Sequence, residues 1–205
     1  LERVRPDEAE ARALIYSGAM DRFSPGRTHR AALLWRFAAW CKRRFPGNET
    51  LSLFSGPALA EPPPPELPPD DLVQNLRREF AVLGFLCDRH PMVLFAEYLQ
   101  RENTVKAVHM GKYPGRRVRF AGWLITGKTV LTRKGDPMTF ITFEDETGLV
   151  ESVFFPRAYH RFCHILEYGR PFLLSGTVRE YCLEVEEARP IKIFPNSGNI
   201  GTIKK

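Results

Sequence analysis

Lys128, Arg133 and Lys134 lie close together in the run ThrGlyLysThrValLeuThrArgLysGlyAspProMet at 126–138, with β-rich sequence on either side. Cations held on a loop between two strands suit one kind of chemistry, the neutralisation of phosphate charge with release of condensed counterions. Trp123, Phe140 and Phe154 on the adjoining runs offer ring faces on which single-stranded bases stack, each worth about 1–3 kcal/mol. The same rings are also what a small barrel uses to fill its interior. Charge placement favours a polyanionic partner. From Arg101 to Lys134 nine basic residues (Arg101, Lys106, Lys112, Arg116, Arg117, Arg119, Lys128, Arg133 and Lys134) accompany one acidic residue, Glu102. From Gly135 to Phe194 six basic residues meet ten acidic ones. The overall balance of 30 Lys plus Arg against 24 Asp plus Glu, a net +6, says less than this segregation does.

The elements that must position those residues are short and β-rich. ArgValArgPheAlaGlyTrpLeuIle (117–125), MetThrPheIleThrPhe (138–143), LeuValGluSerValPhePhe (149–155), ProPheLeuLeuSerGlyThrVal (171–178) and LeuGluValGlu (183–186), continuing to IleLysIlePhe (191–194), read as five strands. A helical insert, TyrHisArgPheCysHisIleLeu (159–166), separates the third from the fourth. GluAspGluThrGly at 144–148 reads as a hairpin tip. Five strands with one helical insert have the layout of an OB-fold, whose first loop and neighbouring strands contact single strands. The expected class is α+β, an N-terminal helical region followed by a five-stranded OB-fold β-barrel.

Other residue groupings support no chemistry of their own. His160, Cys163 and His164 share a helical face without a fourth zinc ligand at diagnostic spacing, and Glu144, Asp145 and Glu146 belong to the hairpin tip. No nucleophile has a neighbouring base, no Walker loop occurs, and no aspartate pair sits on adjacent strands, so the expectation is no catalytic residue, no metal and no cofactor. Cys41, Cys87, Cys163 and Cys182 stand far apart, which indicates neither a disulfide framework nor a zinc ribbon and makes a reduced, cytoplasmic setting the default. No apolar run reaches the roughly 18 residues of a membrane span, and the N-terminus lacks the plan of a signal peptide. A chain that begins at Leu1 reads as a piece of something longer.

Ahead of the barrel the pattern is helical. Residues 6–16 predict a helix entered through Pro6, and Thr28–Arg44 a second with Ala31, Leu34, Trp35, Ala38 and Cys41 on one face. SerGlyAlaMetAsp (17–21) between them resembles half of a helix-hairpin-helix turn, in which an amide near Gly18 approaches a DNA phosphate; a plain interhelical turn is the other reading. ThrLeuSerLeuPhe at 50–54 precedes a spacer with six prolines between 62 and 69, and its apolar side chains either dock on a partner or fold back onto the helices. A third helix is expected from Asp70 or Asp71 to Gly84, with Leu72, Leu76, Phe80 and Leu83 inward. The resulting divisions are a helical region at 1–55, a linker at 56–69, a helical connector at 70–111, the barrel at 112–195 and a tail at 196–205.

In order along the chain, four pieces resemble the bacterial DNA polymerase III alpha subunit, including its error-prone relatives. LeuIleTyrSerGlyAlaMetAspArgPhe (14–23), followed by Arg30 and an AlaLeuLeu run, is similar to the family's Leu-Ile-x-x-Gly-Ala-Phe-Asp segment. Thr50, Leu51, Ser52, Leu53 and Phe54 resemble its internal sliding-clamp motif, Gln-Leu-Ser/Asp-Leu-Phe, with Thr50 in place of Gln. LeuArgArgGluPheAlaValLeuGlyPheLeuCysAspArgHisProMet (76–92) is similar to a segment running from Glu through Leu-Gly to His-Pro, with CysAspArg as its departure. Residues 118–156 resemble the family's OB domain most specifically. The resemblance implies a non-catalytic C-terminal piece of such a polymerase, nucleoid-associated, that binds single-stranded or template DNA, docks the sliding clamp and works with the remainder of the polymerase in DNA replication, repair or translesion synthesis. DNA contacts would come from Arg117, Arg119, Trp123, Lys128, Arg133, Lys134, Phe140 and Phe154. The family's palm aspartates and phosphoesterase-like domain are not in this sequence, and nothing after Phe194 matches the tau-binding domain of the replicative enzymes, which leans towards the error-prone type or a truncated segment. PheIleThrPheGluAspGluThrGly (140–148) also resembles the OB anticodon-binding domain of the class II lysine, aspartate and asparagine tRNA synthetases, so a tRNA-binding fragment is the alternative. A scaffold whose barrel binds only protein is the third reading.

Overall fold

A computed structural model describes residues 6–23, 30–44, 65, 67, 70–180 and 182–192. The chain divides into two units, Leu1–Cys87 and Asp88–Lys205. The division falls inside the 70–111 segment expected to act as one connector. Thr50 to Phe54 lie outside the described residues.

In the first unit, helix α1 (Glu8–Tyr16) is started by Asp7. The Asp7 carboxylate accepts from the Glu10 amide at 2.7 Å while Glu10 accepts from the Asp7 amide at 3.0 Å, a reciprocal capping box. Helix α2 (Arg30–Arg44) contributes Leu33, Leu34, Phe37, Trp40 and Cys41 to a small core with Ala11 and Ile15 of α1. Phe37 is buried and Ala38 exposed, so the inward face is rotated from the expected one by about one residue. The bulkier ring at 37 removes more apolar surface from water than the methyl at 38.

Helix α3 (Leu72–Leu83) is capped by Asp71, which accepts from the Val73 amide at 3.0 Å, and is closed by Gly84 at φ 78°. Leu76, Phe80 and Leu83 are half-buried, but Leu72 is 58% exposed while Asn75 and Glu79 are buried. The reason is a polar interior. Arg30, itself buried, donates through Nε and Nη2 to Asp21 at 3.0 and 2.8 Å, through Nη1 to the Tyr16 carbonyl at 3.0 Å, and through its amide to Asp70 at 2.7 Å. Asn75 donates to the same Asp70 carboxylate at 3.2 Å, and Glu79 accepts from the Cys87 amide at 2.8 Å. These hydrogen bonds make burial of α3's polar edge affordable.

The second unit opens with a 3-10 turn at Pro91–Phe95, helix α4 (Ala96–Gln100) and another 3-10 segment at Ala107–Lys112. Strands β1 (Arg117–Leu131), β2 (Pro137–Asp145), β3 (Gly148–Phe154), β4 (Pro171–Val178) and β5 (Leu183–Pro190) then close, among the described residues, into a barrel of order β1-β2-β3-β5-β4. Helix α5 (Pro156–Phe162) lies between β3 and β4. All pairs are antiparallel except β3 with β5. Closure leaves each strand paired on both sides and removes exposed sheet edges. β1 serves both neighbours by changing partner, pairing β4 over 117–123 and β2 over 123–131, with an irregularity between Leu124 and Thr126. Phe120, Phe143, Phe154 and Phe172 have no exposed surface, and the Phe143 and Phe172 rings meet edge to face at 6.0 Å. Each buried ring stabilises the barrel by about 1.5–3 kcal/mol. Gly176 sits where β4 shifts register against β5; a Cβ there would stand 2.1 Å from the Glu184 carbonyl oxygen.

The acidic hairpin tip is structural. Buried Asp145 accepts through Oδ1 from the Thr147 amide (2.7 Å), the Thr147 hydroxyl (2.6 Å) and the Gly148 amide (3.2 Å), and through Oδ2 from the Ala107 amide (3.0 Å). Glu146 pairs with Lys106. Glu144 bonds His90 Nε2 at 3.0 Å. Because His90 Nδ1 accepts from the Met92 amide at 3.1 Å, the proton sits on Nε2 and is donated to Glu144. The three acids therefore diverge onto three partners. Among the described residues no three His, Cys, Asp or Glu side chains converge as a metal site, and no helix is long and apolar enough to cross a membrane.

Candidate nucleic-acid interface

The run 126–138, expected as a loop, is largely strand. β1 continues through Lys128 to Leu131 and pairs β2 residue for residue, Lys128 with Phe140, Thr129 with Thr139 and Val130 with Met138. The β-branched residues Thr129 and Val130 favour this extension. The true turn is Thr132–Asp136, tied by the Thr132 amide to the Asp136 carbonyl (2.8 Å), the Gly135 amide to the Thr132 carbonyl (2.9 Å) and the Asp136 amide to the Thr132 hydroxyl (3.2 Å). Arg133 and Lys134 ride exposed on this turn, next to Leu131, which is 70% exposed.

Side chains alternate across the hairpin. Thr139 and Ile141 point inward and are buried; Phe140 points outward and is 42% exposed, directly opposite exposed Lys128. Lys128, Arg133 and Lys134 have no carboxylate partner among the described residues. One aromatic face and three uncompensated cations thus lie on a single projecting hairpin. This is the pairing of stacking platform and charge that single-stranded nucleic acid calls for.

Two other aromatic candidates are withdrawn by burial. Phe154 has no exposed surface and belongs to the barrel core. Trp123 lies on the outer side of β1 but is only 7% exposed, on the strand that the Pro91–Phe95 turn packs against. Neither presents a face to a base.

Arg117 and Arg119 are exposed on the β1–β4–β5 side, and both have carboxylate partners. Arg117 pairs with Glu186 at 3.1 Å. Arg119 pairs with Glu102 at 3.3 Å, and Glu102 also binds Arg189. Burial opposes ionisation of Glu102, but hydrogen bonds from Tyr98 and Arg189 and the charges of Arg189 and Arg119 outweigh it and hold the carboxyl below its ordinary range. A 550 Å³ cleft runs past Arg117, Arg119 and Ser175, with Glu187 on its wall. The sequence excess of positive charge is therefore cancelled on this side by glutamates from distant positions and survives on the hairpin.

The Gly18 amide donates to the Ile15 carbonyl at 3.1 Å, and a Cβ at Gly18 would lie 2.5 Å from Arg30 Nη2. That amide is committed within the turn, and the space beside Gly18 is occupied by the Arg30–Asp21 pair, so Gly18 itself offers no free amide to a phosphate. Sequence reasoning missed Tyr168, which is 65% exposed yet fixed by its hydroxyl, donated to the Gly127 carbonyl at 3.3 Å. It lies in the connection after α5, outside any strand pattern, and only its position against the hairpin gives it meaning.

Comparison with known proteins agrees with the geometry. Residues 118–197 match the family described as OB-fold nucleic acid binding domain. Over 168 residues, 80% of this chain, the sequence is 29% identical to DNA polymerase III subunit alpha of Bacillus subtilis, covering 15% of that protein. It is 34% identical over 74% of its length to error-prone DNA polymerase of Aromatoleum aromaticum, covering 13% of it, and 30% identical over 97% of its length to that of Anaeromyxobacter dehalogenans, covering 17%. The chain thus spans less than a fifth of these curated relatives. Its barrel is an OB-fold nucleic-acid-binding domain, and the chain as a whole belongs with one segment of the bacterial DNA polymerase III alpha and error-prone DNA polymerase family.

Proposed function

We propose that this chain binds single-stranded or template DNA along the outer face of the β1–β2 hairpin, as a non-catalytic segment of a DNA polymerase III alpha-type enzyme in replication or translesion synthesis. The observation that carries this reading is the exposed Lys128–Phe140 pair beside uncompensated Arg133 and Lys134. Phe140 stacks a base while the three cations meet successive phosphates. Arg117 and Arg119 reach phosphate only by exchanging their glutamates and contribute less. The setting is the bacterial cytoplasm, with the nucleoid, the remainder of the polymerase and the sliding clamp as partners; the clamp contact would be made by Leu51, Leu53 and Phe54, with Thr50 and Ser52 between and beside them.

The test is titration of a fluorescent single-stranded oligodeoxynucleotide at several salt concentrations. Binding should weaken steeply with salt, and changing Lys128, Arg133 and Lys134 to Ala should lower the log–log slope by about 2, at roughly 0.7 per phosphate contact on a single strand. Salt-independent binding, or none, would sink the reading. Preference for tRNA over single-stranded DNA would move it to the anticodon-binding alternative. Clamp docking is tested separately by Leu53→Ala with Phe54→Ala, where unchanged affinity for the clamp removes that part.

A further inference from the structure

On the face of the β1–β2 hairpin opposite Lys128 and Phe140 lies a cleft of about 150 Å³ between the hairpin, α5 and the connection that follows it. Its walls include Gly127, Thr129 and Thr139 from the hairpin and Tyr159, Cys163 and Tyr168 from the other side. None of the lining residues carries a charge at neutral pH. Without a cation in the lining the cleft disfavours a phosphate, whose desolvated charge would go uncompensated. The space is well below the roughly 300–1,000 Å³ of a drug-sized site, which limits the occupant to about one ring system.

The polar groups suit a neutral heterocycle. Thr129 and Thr139 are cross-strand neighbours whose hydroxyls are 3.5 Å apart, a contact long enough to leave both oxygens with hydrogen-bonding capacity. Tyr168 is exposed but anchored through its hydroxyl, so the ring stands at the rim in a fixed position and a base that stacks on it costs little ordering. Gly127 keeps the floor open: a Cβ there would stand 3.2 Å from both Ile141 Cγ1 and the Phe140 carbonyl oxygen.

We propose that this cleft receives one unstacked nucleobase, with Tyr168 as the stacking surface and the Thr129 and Thr139 hydroxyls on the base edge, so that a bound strand grips the hairpin from both faces. This rests on the proposed nucleic-acid reading and adds a base subsite to it. Phosphates stay on the Lys128, Arg133 and Lys134 side, where the charge is.

Cys163, exposed on the cleft wall, reports occupancy. In the full chain, alkylation of Cys163 by N-ethylmaleimide is followed by peptide mass spectrometry without DNA, with a saturating mixed-sequence single-stranded oligodeoxynucleotide, and with one of equal length carrying abasic sites. The intact oligonucleotide should slow alkylation at least tenfold and the abasic one should not. Tyr168→Ala should weaken binding of the intact strand about 5- to 150-fold and Tyr168→Phe far less, since the ring is kept. Salt-dependent binding without protection of Cys163, or equal protection by the abasic strand, overturns the base subsite and leaves the hairpin reading standing. Absence of salt-dependent binding overturns both.

Discussion

Lys128 and Phe140 stand directly opposite one another on β1 and β2, both on the outer face of the hairpin, with Phe140 42% exposed. On the proposed DNA-binding reading the two side chains act through different physics, and that difference separates their mutants. Phe140→Ala removes a stacking surface and should weaken single-strand binding by about 1–3 kcal/mol with little change in salt slope. Lys128→Ala removes a phosphate contact and should lower the slope by about 0.7 with a smaller loss at high salt. Parallel salt titrations of the two variants check this, and an equal slope change in both would contradict the assignment.

Trp123 and Phe154 should behave otherwise. Both are buried, so truncation removes packed volume. Phe154→Ala should destabilise the barrel by about 3–5 kcal/mol, seen as a lower urea midpoint, while any folded fraction keeps the salt slope of the unmodified protein.

Glu102 gives a prediction in pH and in charge. Its folded-state carboxyl titrates below the ordinary range, so its bridge to Arg119 and Arg189 contributes fully at pH above the unfolded carboxyl's titration and is lost as pH falls through the folded one. Glu102→Gln should flatten that part of the stability profile on the acid side. At neutral pH the same change releases Arg119 and Arg189, and oligonucleotide binding should gain salt slope. Urea unfolding across acid pH and salt titration at neutral pH measure the two effects.

These cases show how much of the molecule was legible beforehand. The five strands, the helical insert and the hairpin tip were readable because alternating apolar residues and turn chemistry are local signals. Lys128, Arg133 and Lys134 are readable as cations, but Gly127 and Lys128 dilute the strand pattern of the segment holding them, so that from sequence it reads as a loop. Which aromatics face outward was not readable: Phe140 and Phe154 both sit in strands, and the difference of one in register parity decides which is buried. The cancellation of Arg117 and Arg119 by Glu186 and Glu102 depends on side chains far apart in sequence. On α3 an apolar count favours Leu72 over Asn75 and Glu79 because nothing local announces that Arg30 is buried nearby.

Asp145 accepts three hydrogen bonds from Thr147 and Gly148 within the β2–β3 tip and one from the Ala107 amide, which fastens the tip to that segment. Asp145→Ala leaves those donors to water or unsatisfied, at about 1–3 kcal/mol for each group that remains buried. The expected result is a loss of about 2–4 kcal/mol, and faster hydrogen exchange at Ala107, Thr147 and Gly148. Unchanged exchange at Ala107 would show that the carboxylate does not hold that segment.

The Arg30–Asp21 pair supplies the sharpest test of the helical unit. Arg30 presents Nε and Nη2 to the two oxygens of Asp21, and its Nη1 reaches the Tyr16 carbonyl, so geometry as well as charge is being used. Removal of one partner from a buried pair costs about 3–5 kcal/mol, because the other is left uncompensated. Arg30→Ala should therefore unfold or severely weaken the unit, and Asp21→Asn should weaken it less, since Asp21 is 24% exposed at its side chain. Arg30→Lys keeps the charge but not the fork, and a flexible ammonium cannot satisfy Asp21 and Tyr16 together. If the fork is what matters, Arg30→Lys falls near Arg30→Ala in thermal unfolding. If charge alone matters, it falls near the unmodified protein. The double change Arg30→Ala with Asp21→Asn should cost less than the sum of the single changes, because neither leaves a stranded charge when both are gone.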